Sequence, residues 1–224
     1  MEITAIRLPA SNVYLVRGHD GAIIVDSGTE AAVPRLRKAL SRLGTDPRTL
    51  SAVLLTHGHA DHAGGARQLV GRDVPVLVGA ADAPILRAGH NFTVTSTSIA
   101  ARIISPFVDK PFTAYEPDVL IDDVLDLEPY GIRALAVPVD GHTAGSVALV
   151  GTKPGVPAVL GDLVRGGVLG LLAPSRPGRP HTHFYSEDTS RDVRALKSLI
   201  AAHQPERLYP GHGGALLTAA VATL

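Results

Sequence analysis

The sequence predicts a layered α/β fold, and three observations carry that prediction. Short apolar runs with the look of strands alternate with stretches whose apolar residues recur at helical spacing, as layered folds require. Nothing repeats at a fixed period, which sets solenoids aside. A length of 224 residues, 45% of them hydrophobic, suits a soluble globular chain with one sizeable core or two small domains.

Ile3 to Leu8 and Val13 to Val16 read as strands joined by the turn Pro9-Ala10-Ser11-Asn12, and Ala22 to Val25 as a third strand after the Asp20-Gly21 turn. Asp26 closes that strand, a place where aspartate commonly forms a turn or caps a helix. Asn12 and Tyr14 sit near the same end, where pocket lining and ordinary turn or packing roles are both open. Val33, Leu36, Leu40 and Leu43 recur at helical spacing, with Pro34 in the first turn and Gly44 as the stop. Residues 51 to 55 then read as a strand, 62 to 70 as a helix and 75 to 78 as a strand.

Between the strand at 51 to 55 and the helix after it lies Thr56-His57-Gly58-His59-Ala60-Asp61-His62-Ala63-Gly64-Gly65. In an extended backbone His57, His59 and Asp61 share a face because side chains alternate with period two, whereas His62 follows Asp61 directly and points away. The chain must bend at Asp61, and two pairs of side chains then face two neighbouring points. That geometry suits two metal ions better than one. Neutral imidazole and carboxylate are the usual zinc ligands, and the small residues Gly58, Ala60, Gly64 and Gly65 are expected to let the backbone curl close to an ion.

Residues 84 to 128 hold Phe92, Phe107, Phe112 and Tyr115, an aromatic group that suits a pocket wall, a dimer contact or plain satellite core. Asp118, Asp122, Asp123, Asp126 and Glu128 read as a solvated face, and His90 has no ligand partner at useful spacing. Arg133 to Val137 and Val147 to Val150 bracket Asp140-Gly141-His142-Thr143-Ala144-Gly145, where a strand again ends in a glycine-flanked histidine. Ala158 to Leu160 is a short strand with Gly161-Asp162 at its end. Residues 163 to 187, rich in glycine and proline, read as a loop walling the site, and His183 and Tyr185 near its end are candidate substrate contacts. Thr189-Ser190-Arg191-Asp192 looks like a capping box opening a helix that buries Val193, Leu196, Leu199 and Ile200. Arg207 to Tyr209 is the last strand, and His212 follows in a glycine-flanked turn.

Lysine plus arginine and aspartate plus glutamate balance at 21 each, so no nucleic-acid partner is expected. Residues 1 to 9 show no basic segment followed by an apolar run, and no stretch is long and apolar enough to span a bilayer. The chain therefore reads as cytoplasmic, without a membrane partner. Cysteine is absent, which excludes disulfides, thiolate ligands and cysteine nucleophiles.

His57-x-His59-x-Asp61-His62 followed by Gly64-Gly65 resembles the signature of the metallo-β-lactamase superfamily. Four more motifs stand in the family's order: Asp26 in Ile24-Val25-Asp26-Ser27-Gly28, His142 in Gly141-His142-Thr143, Asp162 in Leu160-Gly161-Asp162, and His212 in Tyr209-Pro210-Gly211-His212-Gly213. The resemblance implies a four-layer αββα sandwich of two mixed β-sheets flanked by helices. It implies one domain over residues 1–224 with an insert or lid at about 84–128, because the 80 residues from His62 to His142 exceed what the simplest members need. It also implies two Zn2+ ions, with Fe or Mn as alternatives. The first ion takes His57, His59 and His142, the second Asp61, His62 and His212, and Asp162 bridges them with one oxygen for each. Asp26 becomes a buried residue bracing the metal loop.

The chain departs from secreted β-lactamases, which often use a cysteine ligand and an export signal. Only twelve residues follow His212, too few for the helical glutathione-binding domain of glyoxalase II enzymes. Metal binding lowers the pKa of water from about 15.7 to about 7. The expected activity is therefore hydrolysis of a small-molecule thioester, ester or lactone by a metal-bound hydroxide. Asp61 and Asp162 are the catalytic carboxylates, with Asp61 orienting the water and shuttling its proton. The alternative from another class is an iron-dependent persulfide dioxygenase, whose relatives keep much of the same motif set. A β-lactamase and a metal-binding domain without catalysis stand behind these, and a homodimer is compatible with the aromatic segment.

Overall fold

The computed structural model describes residues 1–91, 110–167, 179–186 and 188–224. Its strands form where aliphatic and β-branched residues can fill both faces of a pleated surface. In β2 (Asn12–Arg17), Val13 and Leu15 face one core while Tyr14 and Val16 face another. β1 (Glu2–Arg7), β2 and β3 (Ala22–Val25) pair antiparallel. β4 (Ala52–Leu54), β5 (Val76–Gly79) and β6 (Val119–Ile121) continue the same sheet in parallel. A second sheet has the order β13 (Leu216–Leu217), β12 (Arg207–Gly213), β10 (Ala158–Gly166), β9 (Val147–Gly151), β8 (Ala134–Pro138) and β7 (Leu125–Asp126), with β11 (Pro180–His181) also on β10. β10 and β12 run parallel and the other pairs antiparallel, so both sheets are mixed.

Three apolar clusters separate four layers. Leu36 and Leu40 of α1 (Val33–Arg42) pack on the outer face of the first sheet. Beyond the short α2 (Ala60–Ala63), Leu69 of α3 (Ala66–Val70) and Leu86 of α4 (Ala83–Ala88) join them against Val13, Leu15, Ile24 and Val53. Ile23, Leu54 and Leu77 meet Ala136, Val147 and Leu149 between the sheets. Ala148, Val150 and Leu160 meet Leu196 and Leu199 of α5 (Thr189–His203) on the far side. This is the αββα sandwich that the sequence motifs imply.

Several elements differ from the sequence reading. β10 runs on to Gly166, and β12 carries His212 inside it, because the two pair in parallel as far as Gly166 and Gly213. The partner strand supplies hydrogen bonds that glycine-rich local sequence does not advertise. The expected single helix over 62–70 is two, broken at Gly64-Gly65, where a Cβ on Gly65 would lie 2.8 Å from the Ser27 carbonyl oxygen. The cap of α5 is Asp188, whose carboxylate accepts from Ser190 and Arg191 N–H, and not a box opened by Thr189. Phe112 and Tyr115 pack against the first core, while Phe92 and Phe107 lie outside the described residues, as do 168–178 and 187 of the expected loop. The five acids from Asp118 to Glu128 are exposed, as the solvated-face reading requires. No helix among the described residues is long and apolar enough to cross a membrane.

Leu54 is fully buried between the two sheets. Leu54→Ala should lower stability by about 2–5 kcal/mol, read as a drop in the urea midpoint at unchanged slope.

Candidate metal centre

β4 delivers the chain to His57, and α2 begins at Ala60 with His59 as its cap, which swings Asp61 and His62 to a different side. His57 Nε2 lies 3.1 Å from His59 Nδ1, which lies 3.2 Å from His142 Nε2. On the other side His62 Nε2 is 3.3 Å from His212 Nε2, and Asp61 Oδ2 is 3.6 and 3.4 Å from those two nitrogens. Asp162 Oδ2 stands between the groups, 3.9 and 3.6 Å from His57 and His142 Nε2 and 3.5 and 3.2 Å from His62 and His212 Nε2. Two donors on one tetrahedral zinc, each at 2.0–2.1 Å, are about 3.3 Å apart, so these spacings fit ions held by shared ligands. The set is wholly nitrogen and oxygen, and nearly all of it is buried.

Asp162 was expected to offer one oxygen to each ion. In the structure Oδ2 is the oxygen turned toward His57, His62, His142, His183 and His212, while Oδ1 is buried with no hydrogen-bond partner among the described residues. Gly211 is tightly packed on that oxygen, and a Cβ there would collide with Asp162 Oδ1 and His62 Cε1. A Cβ on Gly58 would crowd Ile85 and Asp82, so glycine lets the His57 loop pack closely against the segment that opens α4.

The surroundings fix the donors from behind. Asp26, in a left-handed conformation with φ 64°, accepts from Thr56 N–H at 2.8 Å, and its Oδ2 lies 2.8 Å from His62 Nδ1. Asp26 thus ties the end of β3 to Thr56 and to the His62 ring. Ser27 Oγ donates to the His62 carbonyl at 2.7 Å. Asn12 and Tyr14 hold the backbone that carries His212: the amide donates to the Pro210 and Gly213 carbonyls at 3.0 and 2.9 Å, and the phenol to Pro210 at 2.6 Å.

Two positioning residues escaped the sequence reading. Buried Asp82 accepts from Gly58 N–H (2.7 Å), Gly145 N–H (3.0 Å) and the Thr143 hydroxyl (2.8 Å), so one carboxylate ties the His57 loop to the His142 loop. Asp192 accepts from His142 N–H at 2.6 Å and from Ser186 Oγ, fixing His142 at φ 57°. Nothing local marks Asp82 as more than an acid before a helix, and Asp192 was hidden inside an apparent capping pattern. Of the candidate substrate contacts, His183 sits inside the cluster, with Nε2 3.0 Å from Asp162 Oδ2, and Tyr185 is buried beside it. His90 is exposed, and its Nδ1 is 2.8 Å from the Asn91 carbonyl.

Burial holds the His57 imidazole well below its usual pKa, and the neighbouring histidines add to that. Burial likewise dominates at His142, against the pull of Asp162, and lowers His59. At His62 burial acts in the same direction but is outweighed by Asp162, Asp61 and Asp26, which raise it well above the usual value. His212 is raised in the same way, mainly by Asp162. Burial would raise Asp162, but His183, His212 and His62 hold it well below the usual carboxylate range. The surroundings therefore favour the neutral imidazole on one side of the centre and the protonated form, beside carboxylates, on the other.

The family profile described as the metallo-beta-lactamase superfamily matches residues 6–212. The chain is 25% identical to a hydroxyacylglutathione hydrolase of Methylobacillus flagellatus over 89% of its length and 61% of that protein's. It is 33% identical to the acyl-coenzyme A thioesterase MBLAC2 of Bos taurus over 62% of its length and 53% of that protein's. It thus spans less than two thirds of either relative. The solved structure of TTHA1623 in a di-iron-bound form superposes with a TM-score of 0.66 at 24% identity, covering 99% of this chain and 97% of that one.

Two outcomes should follow from this geometry. The raised pKa values favour the protonated forms of His62 and His212, so a cation competes with protons for those nitrogens, and metal uptake should release protons and tighten as pH rises. Calorimetric titration of the metal-free protein in two buffers of different ionisation enthalpy measures this. Asp82→Ala strands two buried N–H groups and should cost about 2–5 kcal/mol of stability in urea denaturation.

Proposed function

The chain belongs to the metallo-β-lactamase superfamily, and from that premise we propose that it is a dinuclear metal-dependent hydrolase of a small-molecule thioester, ester or lactone. One observation carries this reading: a single buried oxygen, Asp162 Oδ2, faces two separate donor groups at once. His57, His59 and His142 would hold one ion, Asp61, His62 and His212 the other, and Asp162 both. Donors of nitrogen and oxygen alone suit zinc, and also iron or manganese. Bound there, such ions supply an activated water and positive charge for a developing oxyanion.

The chain's own groups do the rest. Asp61, whose backbone carbonyl is held by the Ser11 hydroxyl, presents Oδ2 beside His212, where it orients the attacking water and accepts its proton. Asp26 keeps the His62 ring from turning, so that Nε2 stays directed at the centre. Tyr185, its hydroxyl kept neutral by burial and by the charge of Asp61, walls the substrate side. The names carried by the two relatives, a hydroxyacylglutathione hydrolase and an acyl-coenzyme A thioesterase, favour a thioester within the class.

Asp162→Ala should lower hydrolysis by at least about 100-fold across a panel of thioesters, lactones and β-lactams, with unchanged circular dichroism. Full activity in that variant would overturn the bridging role. Thiol-dependent oxygen uptake by the iron-loaded parent, without hydrolysis, would move the chain to dioxygenase chemistry.

A further inference from the structure

The seven side chains named by the sequence motifs do not exhaust the donors at this centre. Of the five imidazole nitrogens near Asp162 Oδ2, His183 Nε2 is closest at 3.0 Å, against 3.2 to 3.9 Å for the other four. Its ring centroid lies 4.9 Å from that of His142 and 5.2 Å from that of His212. The ligand atoms of His142, Asp162 and His183 all fall within 4.8 Å of one another. With 6% of its surface exposed, His183 is as buried as the donors around it.

We propose that His183 is an additional metal ligand, sharing an ion with Asp162 and His142. This rests on the dinuclear reading above and extends it to an eighth protein donor.

The orientation of the ring supports the assignment. A ligating histidine usually has its second ring nitrogen tied to a backbone or carboxylate group, which fixes the ring and leaves the first nitrogen aimed at the ion. His62 is tied through Nδ1 to Asp26, and His57 through Nδ1 to the Thr56 hydroxyl at 3.1 Å. His183 follows the same pattern, with Nδ1 2.9 Å from the Tyr185 carbonyl and 3.1 Å from the Tyr185 nitrogen.

The backbone around His183 is anchored to the strand that carries Asp162. His181 of β11 pairs with Arg165 of β10, three residues beyond Asp162. The Arg165 side chain then donates to the Thr182 carbonyl at 3.1 Å, and its guanidinium carbon lies 3.5 Å from the centroid of the Phe184 ring. The residues on both sides of His183 are thus fastened by one arginine, and the imidazole is set against Asp162 by the fold itself. With His57 and His59 on the same side, the ion nearest His142 would then be offered four imidazoles and the Asp162 carboxylate, a set of nitrogen and oxygen donors alone that suits iron as well as zinc.

Cobalt(II) titration of the metal-free parent and of His183→Gln tests the assignment, because glutamine keeps a hydrogen-bond donor toward Asp162 but offers no imidazole. The parent should take up two cobalt ions per chain. In the variant one of the two affinities should fall by about 10- to 100-fold, with a changed visible spectrum. In the cobalt-loaded parent, paramagnetically shifted ring resonances should arise from six histidines, a count that needs no variant to fold. Five shifted rings, or a variant whose two affinities and spectrum equal the parent's, would overturn the role of His183 while leaving the dinuclear centre intact. A parent that binds no cobalt would overturn the dinuclear reading itself.

Discussion

One carboxylate oxygen, Asp162 Oδ2, is crowded by five imidazoles in a place nearly closed to water. Polar groups taken out of water are costly unless each is matched, and here nearly every match comes from a different part of the chain. Asp26 answers His62, Asp82 joins the His57 and His142 loops, Asp192 fixes the His142 backbone, and Asn12 with Tyr14 fixes that of His212. If any of these partners is removed, a buried donor or acceptor is stranded close to the centre, so the polar network and the core stand or fall together.

Strand direction explains how so many groups reach one place. β3, β4 and β5 are parallel, so their carboxyl ends bring Asp26, the His57 loop and Asp82 to a common edge. β10 and β12 are also parallel, and they bring Asp162 and His212 to the matching edge of the second sheet. A backbone bond from Val147 N–H to the Thr56 carbonyl, 2.7 Å, joins the two edges directly. The clustered histidines and carboxylates lie within or just beyond the carboxyl-terminal parts of these parallel strands, the side on which layered α/β folds place their binding groups.

Much of this was visible before folding was considered. The strand of Ala22 to Val25 and the helix beginning near Val33 lie where apolar spacing puts them, because burial on one or both faces leaves a direct mark on sequence. Adjacent ligand-type residues that cannot share a face on a strand require a bend, which the structure makes at His59, where α2 begins, rather than at Asp61. The far end of β10 and the strand around His212 were not visible, since their stability comes from pairing with each other. β6 and β7 were missed for a related reason: each is short, at a sheet edge, and set among exposed acids.

The sequence by itself determined the residue types, the order of the motifs and the pairing of His57 with His59 and of Asp61 with His62, because those depend on local spacing along a backbone of fixed geometry. Only the tertiary structure decided which oxygen of Asp162 faces the donors, that Asp82 and Asp192 brace the histidine loops, and that His183 enters the cluster. Those facts depend on contacts between residues 21 to 63 positions apart. An isolated aspartate or histidine carries no local sign of the partner it will meet once the chain has closed.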